Sequence, residues 1–216
     1  MINYSIVMRS VNANLLEINQ AKSRINQAKK EKYFCIVEDE AQHLLALINR
    51  LLTISKLEHG KLSIQKAEID LEAMIEDVVD KYKAKSAKPI HITTLFGATS
   101  ALADEEYLKE AISNIVDNAT KYSKEKINIQ ISTSENDSNV YIKIYDEGIG
   151  IARSEMKTIF NRFERAAEHE RDARKTRGGF GIGLNYVLQV INAHDGKVSV
   201  KSEKGKWSEF TISLPK

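Results

Sequence analysis

Three groups of residues have types and spacings that could do chemistry. The first is "RGGFGIGLNYV", Arg177 to Val187, in which Gly178, Gly179, Gly181 and Gly183 crowd together ahead of an apolar, helix-like stretch. Closely spaced glycines leading into a helix expose backbone N–H groups, and the helix dipole there favours an anion. Gly178 and Gly183 have the spacing of a P-loop, but Leu184 and Asn185 stand where Lys and Ser or Thr are required. Gly179, Gly181 and Gly183 read G-x-G-x-G rather than G-x-G-x-x-G, and no strand directly precedes them, so a dinucleotide fold is disfavoured. By itself the stretch is either a phosphate site or a tight turn.

The second group is "YDEGIGI", a glycine turn at a strand end with Asp146 at its mouth, followed by Gly148 and Gly150. A carboxylate held there can accept a hydrogen bond from an exocyclic amine. The third is the helical stretch "YLKEAISNIVDNATKYS", in which Asn114 and Asn118 are four apart and share a face with Lys121 nearby. Two amides and a lysine are costly to bury unless something polar meets them. Amide oxygens suit Mg²⁺, a hard cation held by few protein ligands plus substrate phosphates. A lone asparagine is ordinarily a solvated surface residue; a pair with two glycine turns downstream asks for a ligand.

The elements that must position these groups follow from periodicity. Asp70 caps a helix carrying Leu71, Met74, Ile75, Val78, Val79 and Tyr82, and Pro89 closes it. "IHITTLF", "INIQIST", "NVYIKIYDEG", "KVSVKS" and "WSEFTISL" alternate as strands, with "ENDS" as a hairpin turn. Asp104 caps a helix ending near Tyr122, and another helix spans about Gly183 to Ala193. Helices and antiparallel strands in mixed order predict an α+β fold, a two-layer α/β sandwich with helices on one face of a sheet. "ERAAEHERDARKTRG", residues 164–178, has little to bury and reads as a polar lid before the glycine loop.

Ahead of this region, apolar residues recur at helical spacing from Ile2 to Ile18 and again, more strongly, from Phe34 to Leu52. The polar run "NQAKSRINQAKKEK" separates them, so residues 1–60 are expected to form a helical hairpin and residues 61–216 a second domain. Such a hairpin cannot bury both stripes alone, which predicts a homodimer; the competing arrangement packs both helices on the rest of the chain. The net charge of +2 gives no reason to expect nucleic acid. The single Cys35 excludes an internal disulfide, no run approaches a membrane span, and no signal peptide is apparent, so a cytoplasmic setting is expected. Any membrane contact would have to come from segments absent from this sequence.

In order, "NIVDNATKY", "DEGIGI", "IFNRF" and "GGFGIGL" resemble the N, G1, F and G2 boxes of sensor histidine kinases, and the resemblance extends from about Glu31 to the C-terminus. It implies a Bergerat-type, histidine-kinase-like ATPase fold that binds ATP and Mg²⁺. It further implies that Asn118 coordinates the metal, that Asn114 and Lys121 lie near the phosphates, and that Tyr122 packs by the adenine. Asp146 would read the adenine amino group, and Gly148 and Gly150 would let the base approach the backbone. Gly179, Gly181 and Gly183 would wrap the triphosphate above Leu184, while Phe160 and Phe163 anchor the lid and Arg162 and Arg165 reach the phosphates on closure.

The family's acceptor box, H-[ED]-x-[KR]-[TN]-P, has no match: neither Pro89 nor Pro215 follows a histidine at that spacing. His43, His59, His91, His169 and His194 are expected to be structural or exposed. "INYSIVMRSVNANLLEIN" is similar to the part of the first helix that follows the box, so the expectation is a catalytic core that binds ATP but cannot phosphorylate itself. In the intact protein, the resemblance implies transfer of the γ-phosphoryl group to histidine and then to an aspartate in a response regulator receiver domain. Two other readings are a Bergerat-fold ATPase of another class, using Glu110 as its glutamate, and a dimerisation scaffold with a dead pocket.

Overall fold

A computed structural model describes residues 4–59, 63–86, 88–164 and 181–216. The chain divides into two compact units, Met1–Asn49 and Arg50–Lys216.

The first unit is helix. One α-helix, α1, runs Tyr4–Glu58 without interruption, its last turns belonging to the second unit. This corrects the expected hairpin. "NQAKSRINQAKKEK" is polar but holds neither glycine nor proline, and its Ala, Lys, Gln and Arg are good helix formers. Loss of apolar periodicity does not by itself end a helix. The stronger stripe faces solvent: Phe34 is 73% exposed, Val37 65%, and Leu44, Leu45, Ile48 and Leu52 are exposed as well.

In the second unit, strand β1 (Ala67–Asp70) leads into helix α2 (Leu71–Lys85), whose N-cap Asp70 accepts from the Ala73 N–H at 3.0 Å. β2 (Ile90–Phe96) and β3 (Ser100–Ala103) follow, then α3 (Glu105–Lys121), β4 (Ile127–Glu135) and β5 (Asn139–Asp146). After the glycine stretch come α4 (Gly183–Ala193), β6 (Lys197–Glu203) and β7 (Trp207–Pro215). The main sheet has the order β2-β4-β5-β7-β6; β2 and β4 are parallel and the remaining pairs antiparallel.

Period-two alternation sends Ile127, Ile129 and Ile131, then Val140, Ile142 and Ile144, then Phe210, Ile212 and Leu214 to one buried face. Against it lie Leu108, Ile112, Ile115 and Val116 of α3 and Tyr186, Val187, Val190 and Ile191 of α4. This is the expected two-layer sandwich. β3 was not expected from the sequence, because "SALA" has weak strand propensity; its pairing with β1, Ile69 opposite Ala101, supplies what propensity does not.

His194 is structural, as expected. It is buried; its Nε2 accepts the Asp104 N–H at 2.9 Å, which leaves the proton on Nδ1 to be donated to the Val190 carbonyl at 2.8 Å. Burial holds its pKa below the usual histidine value. His59 and His91 are exposed, His169 lies outside the described residues, and of His43 only the helical backbone is described.

Candidate functional site

α3 carries the asparagine pair. Asn114 is 3% exposed, and its Nδ2 donates to the Glu110 carbonyl one turn earlier at 2.8 Å. Its Oδ1 has no hydrogen-bond partner among the described residues. That oxygen faces the first residue of α4: a Cβ placed on Gly183 would lie 3.0 Å from it. Asn118 is half-buried on the same helix face, one turn on. Lys121, expected near the phosphates, pairs with Asp117 one turn back at 2.6 Å.

α4 begins without a side-chain cap. Its N-cap residue is Ile182, which has no side-chain oxygen to satisfy the first N–H groups of the helix. Among the described residues, the first N–H groups of α4 and the Asn114 oxygen beside them lack side-chain partners, and an anion with its cation would satisfy both. Gly181 has φ of 72°, and its Cβ would meet the Phe163 backbone at 2.8 Å, so only glycine fits. Leu184, half-buried, follows Gly183 in the first turn. Gly178, Gly179, Arg165 and most of the expected lid lie outside the described residues.

Asp146 ends β5, 7% exposed, with Oδ1 accepting the Gly148 N–H at 2.9 Å. Its Oδ2 has no hydrogen-bond partner among the described residues. Burial pushes its pKa up to about 6, against the lowering effect of the Gly148 hydrogen bond. Gly148 is required here, because a Cβ would sit 2.6 Å from Asp146 Oδ1 and 2.7 Å from the Tyr122 carbonyl. That carbonyl also accepts the Ile149 N–H at 3.1 Å, tying the end of α3 to the Asp146 turn. Gly150, at φ 64°, lies against Glu203.

The "IFNRF" segment is fixed by a polar side chain of α4. Asn185 is buried on α4; its Nδ2 donates to the Phe160 carbonyl at 2.9 Å, and its Oδ1 accepts Arg162 Nε at 3.3 Å. A buried amide in an apolar helix was the available signal. Phe160 packs edge-on against Phe210, centroids 6.4 Å apart. Phe163 corrects the expectation of a second anchor: it is 65% exposed with φ of 63°. Its backbone N–H donates to the Gly181 carbonyl at 2.9 Å, so the backbone holds this position while the ring stays out of the core.

Glu110, the candidate ATPase glutamate, has a protein donor on each oxygen. Oε1 accepts Arg50 Nε at 3.0 Å and Oε2 accepts the Tyr186 hydroxyl at 2.5 Å. Burial and the neighbouring carboxylate push the Tyr186 phenol pKa up, which keeps it a donor. A carboxylate with both oxygens occupied is poorly placed to take a proton from water.

Among known proteins, residues 103–216 match the family described as histidine kinase-, DNA gyrase B-, and HSP90-like ATPase. The sensor protein SrrB of Staphylococcus aureus (strain NCTC 8325 / PS 47) is 33% identical over 186 residues, which cover 84% of this chain and 31% of that protein. The chain therefore spans about a third of the length of this relative. Full-length ShkA, solved in complex with AMPPNP, aligns with a TM-score of 0.73 at 26% identity over 86% of this chain and 38% of that one. The Acinetobacter baumannii histidine kinase AdeS shares the fold, with a TM-score of 0.71 at 24% identity over 84% and 83% of the two chains.

Proposed function

Because the chain belongs to the histidine kinase-, DNA gyrase B- and HSP90-like ATPase family and matches the ATP-binding core of sensor histidine kinases, we propose that it binds Mg-ATP for phosphoryl transfer to a histidine. The observation that carries this reading is Asn114 Oδ1, without a hydrogen-bond partner among the described residues, facing the start of α4, whose N-cap Ile182 provides no side-chain cap. In this reading Asn114 and Asn118 direct amide oxygens at the phosphate–metal unit, and the N–H groups at the start of α4 bind phosphate oxygens. Bound Mg²⁺ would supply charge neutralisation at the transferring phosphoryl group. Asp146 accepts from the adenine amino group through Oδ2, while Gly148 and Gly150 keep the backbone close. Gly179, Gly181 and Arg165 would close over the phosphates, and Lys121 would have to leave Asp117 to join them.

The γ-phosphoryl group would pass to a histidine in an acceptor box outside this sequence, and then to an aspartate of a response regulator. Both oxygens of Glu110 being engaged disfavours the water-activating ATPase reading. Mg-ATP at about 100 times its Kd is expected to raise the melting temperature by roughly 5–10 °C, with Mg²⁺ alone giving no shift. No shift with Mg-ATP would overturn the nucleotide reading and favour the scaffold.

Residues 1–60 we assign to association and residues 61–216 to the nucleotide. The exposed stripe of Phe34, Val37, Leu44, Leu45 and Ile48 supports pairing with a second copy of the chain, since contiguous apolar surface of this kind is rare on monomers. Among the described residues, no helix is long and apolar enough to cross a membrane, so the stripe is not a span. Sedimentation equilibrium is expected to give a dimer for the whole chain and a monomer for Leu44→Glu/Ile48→Glu. A monomeric unsubstituted chain would refute the assignment.

A further inference from the structure

Arg50, Glu110 and Tyr186 have no contact with nucleotide in the reading above, yet they join three helices at one carboxylate. Arg50 comes from the last turns of α1, within the second unit; Glu110 lies one turn before Asn114 on α3; Tyr186 lies one turn after Gly183 on α4. The charge-assisted bond from Arg50 Nε and the short bond from the Tyr186 hydroxyl use both oxygens of Glu110.

The same turn of α3 holds the site. Asn114 is fixed to the Glu110 carbonyl at 2.8 Å, and its Oδ1 meets Gly183 across the gap between α3 and α4. Two cross-links one helical turn apart therefore set how far the start of α4 stands from the asparagines. One is the Glu110–Tyr186 bond; the other is the close approach of Gly183 to Asn114. A rigid helix transmits a shift at Glu110 to Asn114, because both ride on one turn of backbone.

We infer that Arg50, Glu110 and Tyr186 form a latch in which Arg50 is a positioning residue for nucleotide binding: it orients Glu110, which holds Tyr186 and so seats α4 against Asn114. The latch rests on the nucleotide-site reading. Arg50 also balances the Glu110 charge; without it, a carboxylate stands one turn from where the triphosphate is bound, with only a neutral phenol as partner.

The test is a double-mutant cycle on the affinity of the whole chain for Mg-AMPPNP, with nucleotide-free melting temperatures recorded in parallel. Arg50→Ala is expected to weaken binding on the order of tenfold, and Tyr186→Phe, which removes one hydroxyl, by a smaller factor. Arg50→Lys, which keeps the charge but loses the planar donor, is expected to recover part of the loss. In a Glu110→Ala background, Arg50→Ala is expected to add nothing, because the guanidinium then has no carboxylate to orient. A lowered melting temperature with affinity changed by under about threefold would reduce the cluster to a stability contact and overturn the latch. An additive cycle would overturn it too. Should Arg50→Ala not fold, Arg50→Lys and Tyr186→Phe carry the same comparison. Failure of the unsubstituted chain to bind Mg-AMPPNP would sink the nucleotide reading, whereas binding unaffected by substitution at any of the three residues sinks the latch alone.

Discussion

Gly150→Ala is expected to destabilise the 50–216 unit by about 3–5 kcal/mol, a large share of the total for a domain of this size. Two penalties coincide at this position. The backbone sits at φ 64°, where any Cβ is strained, and that Cβ would overlap the Glu203 carbonyl oxygen, a backbone atom that cannot turn aside. The turn cannot retreat freely either. The Ile151 N–H donates to Ser202 Oγ at 2.7 Å and the Gly205 N–H to the Ile149 carbonyl at 2.6 Å, which dock it on the β6–β7 hairpin. Gly205→Ala is the matched control: its φ is 84°, but nothing lies within 4 Å of the added carbon. It should cost only the conformational strain, about 1–2 kcal/mol. Urea unfolding followed by the single tryptophan, Trp207, which stacks on Tyr145, measures both. Equal costs for the two variants would show that the contact with Glu203 contributes nothing.

Asp146→Asn is expected to move affinity and stability in opposite directions. The carboxylate holds the Gly148 N–H with one oxygen, and in the proposed complex the other would accept from the adenine amine. An amide cannot do both: whichever way it is turned, an N–H meets another N–H, at Gly148 or at the base. Loss of one charge-assisted bond, with a donor left facing a donor, predicts a drop in Mg-ATP affinity on the order of 10- to 100-fold. The free protein should gain. Burial raises the folded-state pKa from 3.8 to about 6, so the ionised carboxylate is disfavoured in the fold. That penalty is absent below the unfolded value, grows as pH rises toward about 6, and is complete above it. At pH near 7.5 the amide should therefore stabilise the nucleotide-free chain by roughly 1–3 kcal/mol, and by less near pH 5. Wild-type affinity should fall as pH drops through about 6, where the acceptor becomes protonated. Calorimetric titration and melting curves across this range test all three statements; a nucleotide-free Asp146→Asn chain less stable than wild type near pH 7.5 would contradict the buried-charge argument.

Much of the second unit was legible in the sequence because its signals are local. Alternation along "IHITTLF" and "INIQIST" is a property of consecutive residues, and β2 and β4 lie over those stretches. Asp70 caps α2 through an atom three residues from its partner. Asn114 and Asn118 share a face by helix geometry alone. The glycine stretch announced a helix start, and α4 does begin at Gly183. Family resemblance then joined these pieces into one site, which spacing alone left undecided between a phosphate site and a turn.

Tertiary structure decided what depends on residues far apart in the chain. No local pattern reports that Glu110 meets Arg50, 60 positions away, or Tyr186, 76 away. Nor could it report that Asn185 fastens the Phe160 segment while Phe163 stays exposed. Even the uninterrupted α1 shows the division. Apolar periodicity says which face a helix will bury, whereas continuity depends on the absence of a breaker in residues 19–32. Local patterning sets most of the elements and the residue types available to a nucleotide. The fold determined which of those residues touch, because contact energies between distant segments are realised only after the chain has closed.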